Sequence, residues 1–218
     1  MFSYYGSKSK IIQYYPSPKY NTIIEPFAGS ARYSLMYYEK DCWLNDSYKV
    51  ITDIWNWIIN ATKEEINAIP ELKKGESLNK LNIDPKLKLL LGFVVNSGVQ
   101  SPRKTCSKWA EEKGEFIKHK KRLLSYCGKL DHWLITGLDY RDISNLEATW
   151  FIDPPYQFVT EKYKKHDINY EELTEWCKSR KEQVIVCENS YGNWLPFKPL
   201  KELYGQRHKT MEMMWYKE

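Results

Sequence analysis

The residues best suited to chemistry in this chain are Asp153-Pro154-Pro155-Tyr156, which follow the apolar run Thr149-Trp150-Phe151-Ile152. Two consecutive prolines fix φ twice and remove two backbone N–H donors, so the peptide groups here offer carbonyl acceptors. Asp153 adds a carboxylate acceptor and Tyr156 a flat π-face. Acceptors converging beside an aromatic plate suit a base whose exocyclic NH₂ must be held in the plane of the plate. The plainer reading is a strand closed by an Asp-Pro turn. Phe151-Ile152 before the motif and the Tyr after it favour the functional one.

Other acids stand where strand-like runs end: Glu25 before Pro26-Phe27-Ala28-Gly29, Asp46 after Asn45, Asp139 before Tyr140, and Glu188 before Asn189. In open parallel sheets ligands bind beyond the carboxyl ends of the strands. A small-residue turn lets backbone approach a ligand, and an acid about 20 residues later can hydrogen-bond ribose hydroxyls. Glu25 and Asp46 are 21 residues apart. The pattern fits a nucleoside-like ligand better than a dinucleotide, because Gly29-Ser30-Ala31-Arg32 lacks a complete G-x-G-x-x-G.

The elements that must position these residues alternate. The run 20–25 reads as a strand. Ser30 is then expected to cap a helix through Leu35 and Tyr38, 42–45 to form a second strand, and Ser47 to cap a helix carrying Val50, Ile51, Ile54, Trp55 and Ile58 at helical spacing. Strand, helix, strand and helix within about 40 residues predict an α/β, doubly wound, mostly parallel sheet. Strand signals resume at 133–136, 149–152 and 183–187, with Asn169 capping a helix through Leu173 and Trp176. Residues 209–216 alternate Met211, Met213 and Trp215 against Thr210, Glu212 and Met214, a half-buried terminal strand expected to run antiparallel.

The middle of the chain, 61–129, breaks this alternation and reads as a helical insert between the two parts, 1–60 and 130–218, of a catalytic domain. Thr62-Lys63-Glu64-Glu65 is a capping box, and Asp84-Pro85 opens a helix with Leu87, Leu90, Leu91 and Val94. Residues 71–82 read as loop and 96–106 as a turn-rich segment. Ser107 is expected to start one helix with Trp109, Phe116, Ile117 and Leu124 inside, closed by Gly128. Between 101 and 133 nine Lys/Arg face four acids, an excess of five that equals the +5 of the whole chain. Such a local field suits a polyanion, with a solvated helix face as the bland alternative.

Composition bounds the rest. With 42% hydrophobic and 15% aromatic residues, the 218-residue chain can bury a sizeable core and is not disordered. Its 17 Tyr and nine Trp are also side chains on which bases stack. Five scattered Cys without a C-x-x-C pair, a start that is no signal peptide and no long apolar run predict a cytoplasmic protein with free thiols. The four His match no metal-ligand spacing, so no metal is expected.

Together these motifs resemble the DNA adenine methyltransferases of the Dam-like type, over nearly the whole chain. Tyr4-Tyr5-Gly6-Ser7-Lys8 is similar to the family's aromatic-x-Gly-Gly-Lys segment, Ile24-Glu25-Pro26-Phe27-Ala28-Gly29-Ser30 to its Glu-Pro-Phe-x-Gly cofactor loop, and Asp153 to Tyr156 to its catalytic motif. Ser7 and Ala31 depart from the pattern at positions where the family often has Gly. The resemblance implies a Rossmann-like methyltransferase sheet with a target-recognition insert, S-adenosylmethionine as cofactor, and a flipped adenine of double-stranded DNA as substrate. It assigns Asp153, Pro154, Pro155 and Tyr156 to catalysis. It assigns Tyr4, Gly6, Lys8, Glu25, Pro26, Phe27, Gly29, Asp46, Asp139 and Tyr140 to the cofactor. Arg103, Lys104, Lys120, Lys121 and Arg122 are the candidate DNA contacts, with a recognition loop at 96–105. A catalytically silent DNA-binding protein of the same fold, or an amino-methyltransferase for RNA or cytosine, remain the alternatives.

Overall fold

The computed structural model describes residues 1–2, 4–158, 168–204 and 209–218. Seven strands form one sheet: β1 (Thr22–Glu25), β2 (Asp41–Asn45), β3 (Leu134–Thr136), β4 (Thr149–Ile152), β5 (Gln183–Asn189), β6 (Lys198–Tyr204) and β7 (Lys209–Lys217). Their order is β3-β2-β1-β4-β5-β7-β6. The first five are mutually parallel, and β7 runs antiparallel to both β5 and β6. This is the expected α/β sheet, mostly parallel with antiparallel terminal strands, consistent with a Rossmann-like methyltransferase. The chain winds outward in one direction from β1 and in the other from β4, so the two strands flank the point where the topology switches.

Both faces of the sheet are covered, which is why β4 and β5 read as unbroken apolar runs rather than alternating ones. One core holds Ile23, Leu44, Phe151, Ile185 and the helices α2 (Lys49–Asn60) and α4 (Pro85–Gly92). The other holds Ile24, Trp150, Ile152, Val184 and Val186 against Leu173 and Trp176 of α7 (Tyr170–Ser179). Ile66, Leu78, Leu90 and Phe116 of the middle region join the first core. The 61–129 segment therefore packs on the sheet domain rather than standing away from it.

Several local expectations hold and some fail. Thr62 forms the capping box that opens α3 (Lys63–Asn67), and Asp84 caps α4 with Pro85 in its first turn. Asn169 caps α7 as expected. Ser30 and Ser47 do not cap. The helix α1 (Arg32–Met36) starts from Ala31 in the left-handed region and is shorter than expected, and α2 starts from Tyr48 without a side-chain cap. The cap at α2 is displaced because Asp46 Oδ1 already accepts the Tyr48 N–H at 2.9 Å. Ser107 does cap a helix, but Gly114 at φ +60° breaks it into α5 (Lys108–Glu112) and α6 (Glu115–Tyr126). The break turns Ile117, expected inside, to 45% exposure. Within 71–82, read as loop, Leu72 and Leu78 are buried and a 3₁₀ turn spans Leu78–Lys80.

Candidate active site

A cleft of about 680 Å³ opens over the carboxyl ends of β1, β2, β3 and β4, within the size range of small-molecule sites, roughly 300–1,000 Å³. Tyr4, Gly6, Lys8, Glu25, Pro26, Phe27, Gly29, Asp46, Asp139 and Tyr140 all line it, and so do Asp153 and Pro155. Segments far apart in sequence, selected by spacing and resemblance, thus converge on one cavity. Pro154 and Tyr156 are not among its lining residues, nor are Arg103, Lys104, Lys120, Lys121 and Arg122.

The loop after β1 is fastened from three sides. Gly29 sits at φ +45°, and a Cβ there would come within 3.1 Å of the Tyr4 ring, so the loop lies against the amino-terminal segment. Its N–H donates to Asp46 Oδ2 at 3.0 Å and its carbonyl accepts from Trp55 Nε1 at 2.9 Å. Buried Asn45 donates from Nδ2 to the carbonyls of Pro26 and Leu138, while its Oδ1 accepts the Leu138 N–H at 2.8 Å. One amide therefore joins the loops after β1 and β3. Ser7 has gained a contact that Gly cannot make: its hydroxyl meets Ser30 Oγ at 3.0 Å and accepts from Arg32 Nε at 3.1 Å. Glu25 is fully enclosed, accepts the Ser34 N–H at 2.8 Å, and is pushed up to about 8 by burial.

Around this frame the cleft offers distinct chemistries. Asp46 is a half-buried carboxylate of the kind that accepts sugar hydroxyls. Phe27 and buried Tyr140 lie 5.4 Å apart and form an aromatic wall, backed by Trp176 at 5.2 Å from Tyr140. Asp139 is held by Arg141, whose Nε donates at 2.7 Å to Oδ1 and whose second nitrogen donates at 2.8 Å to Oδ2. A carboxylate, an aromatic wall and a backbone turn free of side chain suit a nucleoside bearing polar substituents, as S-adenosylmethionine does.

At the far end stands the tetrapeptide, directly after β4. Lys8 Nζ donates to Asp153 Oδ1 at 2.7 Å and to the Gly6 carbonyl at 3.3 Å, and lies 4.6 Å from the Tyr156 ring centroid. Burial pushes the Asp153 carboxyl up to about 6, with the Lys8 ammonium opposing the shift. Burial pulls Lys8 down, but Asp153 and Glu212 raise it to a net position above the ordinary lysine range. The Pro155 carbonyl accepts the Tyr170 hydroxyl at 2.7 Å, whereas among the described residues no donor reaches the Pro154 carbonyl. Asp153 and Pro154 thus hold the acceptors left for a ligand.

Sequence reasoning missed two residues here, Glu212 and Tyr15. Glu212 was read as one side of a half-buried terminal strand, yet it is 5% exposed. Its Oε1 accepts the hydroxyls of Tyr156 at 2.5 Å and Tyr15 at 2.6 Å and lies 3.6 Å from Lys8 Nζ. The signal available was a lone acid between methionines in a terminal strand, beside a motif containing Tyr.

The candidate DNA contacts form two groups. The 96–105 loop abuts the cleft: Tyr4 bridges Val99, and the Tyr5 N–H donates to the Val99 carbonyl at 3.3 Å. Arg103 and Lys104 on this loop are exposed. On α6, Lys121 and Arg122 are exposed, while Lys120 is half-buried and donates to the Asn67 carbonyl at 3.2 Å. Among the described residues no His/Cys/Asp/Glu group could hold a metal ion, no helix is long and apolar enough to cross a membrane, and all five Cys are free.

No curated protein matches the chain. A family model does, over the segment that builds β1, β2 and the cofactor-type loop and stops short of the Asp153 tetrapeptide: residues 4–83 match the D12 class N6 adenine-specific DNA methyltransferase, in agreement with the Dam-like motifs.

Proposed function

We propose that this protein transfers a methyl group from S-adenosylmethionine to the exocyclic amino group of adenine in DNA. The observation that carries this reading is the Asp153 carboxylate in the lining of a nucleoside-sized cleft, next in sequence to a Pro154 carbonyl that no donor reaches among the described residues. The family match at 4–83 supports the same chemistry.

Bound in the cleft, the cofactor would supply a methyl already activated on a sulfonium centre, so the protein's task is to orient and polarise. Asp46 would hold the ribose hydroxyls, Phe27 and Tyr140 the adenine ring, and the Gly29 turn would admit the ligand close to backbone. Asp153 and the Pro154 carbonyl would each accept one proton of the target NH₂. That pair of acceptors draws the nitrogen toward tetrahedral geometry and stabilises the positive charge that grows there. Tyr156 would stack on the base, which must leave the duplex for its amino group to be reached. Exposed Arg103, Lys104, Lys121 and Arg122 would contact phosphates, with the 96–105 loop next to the cleft reading bases.

The test is modification-sensitive sequencing and nucleoside mass analysis of DNA from cells expressing the wild type or Asp153→Ala. The wild type is expected to leave N6-methyladenine in a fixed sequence context and the folded variant to leave none. Equal methylation by both, or none by the wild type, overturns the reading.

A further inference from the structure

The Lys8 ammonium occupies one Asp153 oxygen, Oδ1, at 2.7 Å, and so competes with an incoming amino group for the carboxylate. Lys8 is 6% exposed, so it cannot leave Asp153 for water without the full cost of an unpaired buried charge. A second carboxylate stands within reach: Glu212 Oε1 is 3.6 Å from the same Nζ. We propose that Glu212 is a positioning residue that gives Lys8 a second seat, releasing Asp153 to accept the amino group of the base; this rests on the function proposed above.

The surroundings of Glu212 fit that task. Two neutral hydroxyls, from Tyr15 and Tyr156, orient the carboxylate and occupy part of its acceptor capacity. A carboxylate has about four lone-pair sites, and because both hydroxyls fall on Oε1 the sites left for an ammonium are those of Oε2. Nζ already lies 3.6 Å from Oε1, so a shift of the Lys8 side chain toward the usual charge-assisted range, roughly 2.7–2.9 Å, would seat it on the Glu212 carboxylate. The same shift would carry the ammonium relative to the Tyr156 ring, one face of which it now covers at 4.6 Å. Glu212 lies on β7, outside the matched residues 4–83.

The competing explanation is that Glu212 only fixes the Tyr156 ring through its hydroxyl. Glu212→Gln and Tyr156→Phe separate the two, because the first removes charge and the second removes only the hydroxyl contact. The groups facing the pair are Lys8 and Tyr15 from the amino-terminal segment, Asp153 and Tyr156 after β4, and Cys187 on β5. Glu212 raises Asp153, so loss of its charge lets Lys8 hold Asp153 ionised and tied to lower pH.

Single-turnover methylation of duplex DNA against pH is the assay. Glu212→Gln is expected to lower the plateau rate about tenfold or more, a barrier change of about 1.4 kcal/mol or more. It should also move the acid limb to lower pH and leave DNA affinity within about twofold of the wild type. Tyr156→Phe should move the limb the other way, to higher pH, because the Tyr156 hydroxyl lowers Asp153. An unchanged plateau and limb in Glu212→Gln overturns the proposal. Should that variant fail to fold, a structure of the wild type with DNA and a non-reactive cofactor analogue decides: Lys8 on Glu212 supports the second seat, and Lys8 still on Asp153 refutes it. An active wild type with an unaffected Glu212→Gln removes this inference alone, whereas a wild type that forms no N6-methyladenine removes the functional reading.

Discussion

Replacing Asp153 by Asn would keep the shape of the side chain and one carbonyl acceptor while deleting the charge. The carboxyl stands at about 6 in the folded protein against 3.8 for the free group, with burial outweighing the favourable Lys8 ammonium. Keeping it ionised near pH 7.5 therefore costs the fold about 3 kcal/mol, at about 1.36 kcal/mol per pH unit of displacement. The sign follows from the raised value. Between about pH 4 and 6 the unfolded chain gives up this proton before the folded one does, so this group's contribution to stability falls as pH rises through about 6. The amide that replaces it has no such proton, and Lys8 retains Glu212 at 3.6 Å. The Asn variant should thus be more stable than wild type by as much as about 3 kcal/mol above pH 7, or roughly 6–12 °C in Tm for a chain of this size, with the advantage gone near pH 4. Its activity should move the other way. Loss of a charged group aimed at developing charge costs about 10²–10³ in rate, and the wild-type single-turnover rate should fall as pH drops below about 6. Thermal melts at pH 4 and 7.5 with single-turnover methylation on the same samples test both halves. An Asn variant that is inactive and also destabilised at pH 7.5 refutes the electrostatic argument, and one that turns over at the wild-type rate refutes the catalytic one.

Asp46→Ala removes the acceptor of the Gly29 and Tyr48 N–H groups and should weaken cofactor binding about tenfold or more by calorimetry, with a stability loss of about 1–2 kcal/mol; unchanged affinity would take Asp46 out of the binding site. Neutralising Lys121 and Arg122 should lower the slope of log K against log salt for duplex DNA by about 2, since each phosphate contact contributes about 0.9. A slope that does not move leaves these residues as a solvated helix face. Gly92→Ala would set a Cβ 2.4 Å from Pro102 Cβ and 3.0 Å from the Arg103 carbonyl. Overpacking there should cost about 1–3 kcal/mol in urea unfolding and displace the end of the candidate recognition loop.

What the sequence made legible was whatever repeats a local rule. Buried parallel strands announce themselves as apolar runs, and the capping signatures at Thr62, Asp84 and Asn169 each involve atoms two or three residues apart. The cofactor-type residues could be collected because strand ends in an open sheet fall on one edge, so position along the chain already implied a shared cleft. The failures at Ser30 and Ser47 have the opposite cause. Both stand next to a cleft loop whose donors are claimed by Asp46 and whose backbone turns left-handed at Ala31, and a tertiary demand overrides a local preference. The break at Gly114 is of the same kind, since a helix pattern continues on both sides of it.

Glu212 was illegible for a more instructive reason. A terminal strand with period-two alternation is ordinarily read as an edge, one face wet and one face dry, and an acid in it is assigned to water. Here β7 is inserted between β5 and β6 rather than added at the border, opposite Asn189 on one side and Lys201 on the other. That placement carries the carboxylate under Tyr156, whose hydroxyl and that of Tyr15 replace the hydration it loses. Local pattern alone cannot separate the two positions, because the side-chain alternation of an interior antiparallel strand and of an edge strand is the same. The distinction lies in which strand pairs with which, a long-range property, and it changes the meaning of the residue. At an edge Glu212 would be a solubilising charge. Between β5 and β6 it is the second of two carboxylates sharing one buried lysine, and the resting ion pair of Lys8 with Asp153 becomes a contact that has somewhere else to go.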